Sequence, residues 1–137
     1  MTRVITVLIA ILLVAGCAST AAPSASVGSA PAALAATVSV ADAASLRDAG
    51  AFVLDVREPD EWAAGHIPGA TLIPLGELAS RVGDVPRDRS ILVVCRSGNR
   101  SAEGRDILLN AGLPSVTSLD GGMTDWEQAG LVIETGG

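Results

Sequence analysis

From Thr37 onward, short apolar runs alternate with longer stretches in which apolar residues return every three or four positions. Runs of the first kind have the length of strands, and stretches of the second kind have the period of helices. In order, 37–40 reads as a strand and 41–49 as a helix closed by Gly50, a residue suited to the left-handed turn past a helix end. Residues 51–55 form an apolar strand, and 59–64 a brief helix with Pro59 tolerated in its first turn. Residues 71–73 read as a strand ending at Pro74, and 75–82 as a helix. Residues 91–94, Ile-Leu-Val-Val, have the β-branched density of a buried central strand. A helix over 99–111, a strand over 115–119 and a helix over 123–129 complete the pattern. Strict alternation of strand and helix predicts an α/β domain with a central, mostly parallel five-stranded sheet and helices on both faces.

Residues 1–16 break this pattern. Arg3 supplies a short charged start, and 4–15 are apolar apart from Thr6. The run is too short for a spanning helix, which needs ~20 residues, and fits the core of a secretory leader. The following Val14-Ala15-Gly16-Cys17 resembles a bacterial lipobox, which implies cleavage before Cys17 and lipid attachment to its sulfur. Residues 18–36 are rich in Ala, Ser and Pro and carry no charge, the composition of a flexible tether. The expected organisation is therefore a leader over 1–16, a lipidated Cys17 with its tether over 17–36, and a folded domain over 37–137. The expected location is the bacterial cell envelope, with the domain lipid-anchored to a membrane on the extracytoplasmic side.

Composition narrows the function classes. Two cysteines and one histidine leave no ligand set for a structural zinc site, so no metal and no cofactor is expected. A net charge of −6, no basic stripe and only three aromatic residues (Phe52, Trp62 and Trp126) argue against nucleic-acid binding.

The chemistry concentrates in Cys95-Arg96-Ser97-Gly98-Asn99-Arg100-Ser101, directly after the central strand. A thiol there is followed by a tight turn through Gly98 and then by a helix N-terminus. Backbone N–H groups of such a turn form an anion nest, and the helix dipole and two arginines add positive charge. All favour thiolate, the reactive form of cysteine. A lone cysteine is ordinarily a buried, inert one. Arginines and serines on both sides argue against an apolar burial site. Cys95 is thus the candidate nucleophile, and Arg96, Ser97, Gly98, Asn99, Arg100 and Ser101 the candidate anion cradle.

Four segments together resemble the rhodanese family. They are Asp55-Val56-Arg57-Glu58-Pro59-Asp60-Glu61-Trp62, Gly65-His66-Ile67-Pro68-Gly69-Ala70, the Cys95–Ser101 loop, and Asp120-Gly121-Gly122-Met123 through Trp126 to Gly130-Leu131. The resemblance spans about 37–133. It implies a rhodanese-like fold and a thiosulfate-type sulfurtransferase, in which Cys95 takes a sulfane sulfur as a persulfide. Its expected partners are a small anion such as thiosulfate and a thiol or cyanide acceptor. The alternative is a non-enzymatic persulfide carrier, sensor or partner-binding module on the same fold. A phosphatase of the related cysteine–arginine type places its arginine one position later than Arg100 stands, so this cradle is one residue too short for a phosphate ester.

In parallel sheets, ligands bind outside the carboxyl ends of the strands. Asp55 and Cys95 are therefore expected on one rim. Asp55 or Glu58 is expected to hold Arg100 and close the loop. Arg57 is expected either to touch substrate or to pair with an acid. His66 is read as part of a turn and not as a base, because a preformed thiolate needs none. Gly121-Gly122 reads as a turn before the last helix. Gly104 inside the long helix costs ~1 kcal/mol against alanine unless close helix–sheet packing requires it.

Overall fold

The computed structural model describes residues 33–137; the expected leader, Cys17 and most of the tether lie outside the described residues. The elements run β1 (Thr37–Val38), α1 (Val40–Asp48), β2 (Phe52–Asp55), α2 (Pro59–Ala64), β3 (Thr71–Leu72), α3 (Leu75–Leu78), a 3-10 turn (Val82–Asp84), β4 (Ile91–Val94), α4 (Asn99–Asn110), β5 (Val116–Leu119) and α5 (Gly122–Gln128). The five strands lie in the order β1-β5-β4-β2-β3, and every pair is parallel, so the sheet is wholly parallel where the sequence predicts a mostly parallel one.

Strand β4 is central and all four of its residues are buried. Its side chains alternate between two cores, as a pleated strand requires. Ile91, Val93 and Cys95 join Leu54, Leu78 and Leu108 on the side of α3 and α4. Leu92 and Val94 join Ala43, Met123 and Trp126 on the side of α1 and α5. Helices therefore cover both faces. Gly104 is explained by this packing. A Cβ there would stand 3.2 Å from Val93, 3.3 Å from Val56 and 3.4 Å from Leu78, so α4 lies against the sheet more closely than an alanine permits without adjustment.

Most boundaries shift by one residue from the sequence reading, and three places differ for identifiable local reasons. β1 stops at Val38 because the Ser39 hydroxyl accepts from the Asp42 amide at 3.3 Å and starts α1 early. The helix expected over 75–82 ends at Leu78, and a separate 3-10 turn follows at Val82–Asp84. Ala36, at the end of the expected tether, is tied to the sheet edge. Its carbonyl accepts from the Ser118 amide at 3.1 Å and from Arg105 at 2.9 Å.

The sheet register sets the site. Asp55 pairs with Val94, so β2 and β4 end side by side and Cys95 leaves the sheet on the same rim as Asp55.

Candidate active site

Cys95 is the first residue beyond β4 and is 1% exposed. The chain then turns through Gly98, whose φ of 99° is left-handed and favours glycine, and enters α4 at Asn99. The turn wraps the sulfur. The Gly98 amide donates to Sγ at 3.1 Å, and the Ser101 hydroxyl lies 3.5 Å from it. Burial pushes the Cys95 thiol up. Hydrogen bonds from the Ser101 hydroxyl and from the Ser101, Ser97 and Gly98 amides outweigh it, and the thiol sits below its ordinary value.

The loop carbonyls face the other way. Those of Cys95 and Arg96 accept from the first amides of α5, Met123 N at 2.8 Å and Thr124 N at 3.0 Å, and Arg96 O also accepts from the Thr124 hydroxyl at 2.9 Å. With the Cys95 and Arg96 carbonyls held by α5, the Gly98 amide is left for the sulfur. Gly122, at a φ of 59°, permits this approach, since a Cβ there would run into the Cys95 carbonyl and the Arg96 backbone. The sequence reading takes Gly121-Gly122 only as a turn. Its pressure against the cysteine loop follows from β5 lying next to β4, which local sequence does not reveal.

The structure corrects the partner of Arg100. Neither Asp55 nor Glu58 holds it. Glu61, in the first turn of α2, takes Arg100 NH1 at 2.7 Å and NH2 at 2.8 Å in a bidentate pair. Hydrogen bonding to Arg100 outweighs partial burial and lowers the Glu61 carboxyl to about 2. Asp55 is already engaged by Arg57, whose Nε and NH2 reach its carboxylate at 2.6–3.0 Å. Arg57 also donates to the Gly65 carbonyl at 2.8 Å and the Glu61 carbonyl at 3.2 Å. Of the two roles open to Arg57, the structure shows the pairing with an acid. Asp55 and Arg57 form a buried brace between the end of β2 and both ends of α2.

His66 stands apart from the loop. Its ring stacks on Trp62 with centroids 3.6 Å apart, its Nδ1 lies 3.0 Å from the Trp62 carbonyl, and its backbone pairs with Glu134. Trp126 is fully buried in the core, and its Nε1 donates to the Val132 carbonyl at 3.1 Å.

Beside the loop, between α2 and α5, lies an open cleft of about 690 Å³ whose walls include Arg57, Glu61, Arg96, Thr124, Glu127 and Gln128. Of the two arginines in the loop, only Arg96 has a guanidinium without a side-chain hydrogen bond or ion pair among the described residues.

A family model described as a rhodanese-like domain matches residues 39–129, which hold the whole cysteine loop and the α2 segment that latches it. The chain belongs to the rhodanese-like family. The thiosulfate sulfurtransferase GlpE of Pseudomonas entomophila is 39% identical over 89 residues, covering 65% of this chain and 82% of that protein. An HTH-type transcriptional regulator of Mycobacterium tuberculosis is 42% identical over 93 residues, covering 66% of this chain but only 41% of the regulator. Among solved structures, a rhodanese-related protein from Thermoplasma volcanium superposes with a TM-score of 0.68 at 33% identity, covering 73% of this chain and 98% of that one. The rhodanese-like fold expected from the sequence is thus present, and these relatives support sulfur-transfer chemistry of the rhodanese type.

Proposed function

We propose that this rhodanese-like domain is a thiosulfate-type sulfurtransferase working through a Cys95 persulfide. The observation that carries the reading is the sulfur held by the Gly98 amide at 3.1 Å inside a loop whose Cys95 and Arg96 carbonyls are bonded to α5. In the first step the Cys95 thiolate attacks the outer sulfur of thiosulfate. The sulfur–sulfur bond breaks, and sulfite leaves with the electron pair. The charge of the new terminal sulfur falls among the loop amides and the N-terminus of α4, as an oxyanion falls in its hole. In the second step cyanide or a thiolate attacks that outer sulfur, and Cys95 leaves as thiolate. Arg96 recruits the dianion. Arg100 shapes the loop through Glu61. Ser97, Asn99 and Ser101 complete the cradle, and Asp55 with Arg57 supports it from behind.

The test is thiocyanate release from thiosulfate and cyanide. Release that persists in Cys95→Ala contradicts the reading. An intact domain that forms no thiocyanate favours the carrier, sensor or partner-binding alternative, which the transcriptional regulator among the relatives keeps in view.

For the remainder of the chain, we propose lipidation at Cys17 and an envelope location, on the strength of Val14-Ala15-Gly16-Cys17 and the uncharged tether. Two or more acyl chains are needed for stable anchoring, at ~0.8 kcal/mol per buried CH₂ group. Cys17→Ser should move the protein from the membrane fraction to the soluble one. Unchanged fractionation contradicts the proposal.

A further inference from the structure

Helix α5 starts without a side-chain cap. Its N-cap is Gly121, and the amides a capping side chain would take are taken by the cysteine loop instead. Met123 N donates to the Cys95 carbonyl at 2.8 Å, and Thr124 N to the Arg96 carbonyl at 3.0 Å. The Arg96 carbonyl receives one bond more than capping requires, from the Thr124 hydroxyl at 2.9 Å. A threonine inside a helix ordinarily returns its hydroxyl to a carbonyl three or four residues back. Thr124 reaches instead to a residue 28 positions earlier in the chain. Thr124 is exposed, so burial does not impose that bond.

A carbonyl and the N–H that follows it point to opposite sides of one rigid peptide unit. Holding the Arg96 carbonyl against α5 therefore fixes the direction of the Ser97 N–H, away from α5. That amide is one of the hydrogen-bond donors that favour the Cys95 thiolate. A carbonyl that accepts hydrogen bonds also polarises its own peptide unit and strengthens the N–H at the other end. We propose that Thr124 is a positioning residue for the nucleophile: its hydroxyl, acting through the Arg96–Ser97 peptide, aims the Ser97 N–H at the Cys95 sulfur and steadies negative charge there, on the thiolate and then on the persulfide. The part that concerns the persulfide rests on the sulfurtransferase reading. Thr124 acts at one remove, since its hydroxyl is bonded to Arg96 and not to the sulfur.

The experiment compares the full chain with Thr124→Val and Thr124→Ser. Valine removes the hydroxyl and keeps the branched shape and a similar helix propensity, and serine keeps the hydroxyl. The backbone amide at this position remains in both. The charges around the sulfur are the same in all three proteins: Arg96 in the loop, Arg100 of α4 with Glu61 of α2, the Asp55–Arg57 pair at the end of β2, and Asp125 and Glu127 of α5. The readouts are the pH midpoint of iodoacetamide alkylation of Cys95 and the urea midpoint. Thr124→Val should raise the pH midpoint, so that at a fixed pH below it alkylation slows about two- to threefold, the size of a cooperative gain on one charge-assisted hydrogen bond. Thr124→Ser should restore it. A pH midpoint unmoved by valine would overturn the proposal, and a lowered urea midpoint beside it would leave the hydroxyl only a structural bond. A shift that serine shares would also overturn it. Thiocyanate release by the unmodified protein separates the two readings. Release with an unmoved pH midpoint defeats only the role of Thr124. A midpoint moved by valine and restored by serine, with no release, supports that role on the thiolate and defeats the sulfurtransferase reading.

Discussion

Arg100 and Glu61, 39 residues apart, form a bidentate pair at 2.7 and 2.8 Å that ties the start of α4 to the first turn of α2. One of the two guanidiniums of the nucleophile loop is therefore used to hold the loop in place, and the one left without a side-chain partner among the described residues is Arg96. The pair is partly shielded, with side chains 32% and 25% exposed, so its contribution is taken as about 1 kcal/mol.

The Glu61 carboxyl is depressed from 4.5 to about 2, so its contribution to stability is complete above pH 4.5 and lost as the pH falls toward 2. Glu61→Gln should lower the urea midpoint at pH 7, and the difference from the unmodified protein should shrink by pH 2. Equal midpoints at pH 7 would contradict the latch.

Ser101 shares the sulfur with the loop amides, and its hydroxyl also donates to the Gly98 carbonyl at 2.9 Å. It has one hydrogen to give. In the thiol state Cys95 donates to Ser101 and Ser101 to Gly98; in the thiolate state the hydroxyl turns to the sulfur. Ser101→Ala removes that donor and should raise the pH midpoint of iodoacetamide alkylation of Cys95, and Ser101→Thr should restore it. A midpoint unmoved by alanine would assign the depression to the amides alone.

Arg57 neutralises a carboxylate, Asp55, that is 1% exposed. Removing one member of a buried pair strands the other, at a cost of about 3–5 kcal/mol. Arg57→Ala should lose that much in chemical denaturation. A loss below ~1 kcal/mol would mean that water takes the arginine's place without difficulty.

Gly122 at a φ of 59° lets α5 reach the Cys95 and Arg96 carbonyls. Gly122→Ala adds ~1–2 kcal/mol of left-handed strain and a collision with the loop backbone. Both thermal stability and Cys95 alkylation rate should fall together. A variant with lowered stability and unaltered alkylation would separate α5 from the shaping of the loop.

The position of Cys95 was legible because it depends on local rules. A four-residue β-branched run ends at Val94, and Gly98 supplies the left-handed turn before a helix. The rim shared with Asp55 followed from parallel topology and is present in the register. The latch was not legible at residue level. Asp55, Glu58 and Glu61 lie within seven positions, and the choice depends on helix register and on competition. Pro59 opens α2, which makes Glu58 its cap and places Glu61 at the third helical position, while Arg57 claims Asp55. A Pro at the first helical position followed two residues later by Glu was the available signal. The α5 clamp had no local signal, since it arises from β5 lying between β1 and β4.

The central claim is that Cys95 carries the sulfur. Intact-mass spectrometry of the reduced protein after thiosulfate treatment tests it most directly. The expected result is a gain of one sulfur atom, absent in Cys95→Ala and reversed by cyanide with release of thiocyanate. A folded, reduced protein that never gains that mass with thiosulfate, or one that gains it equally in Cys95→Ala, would contradict the claim.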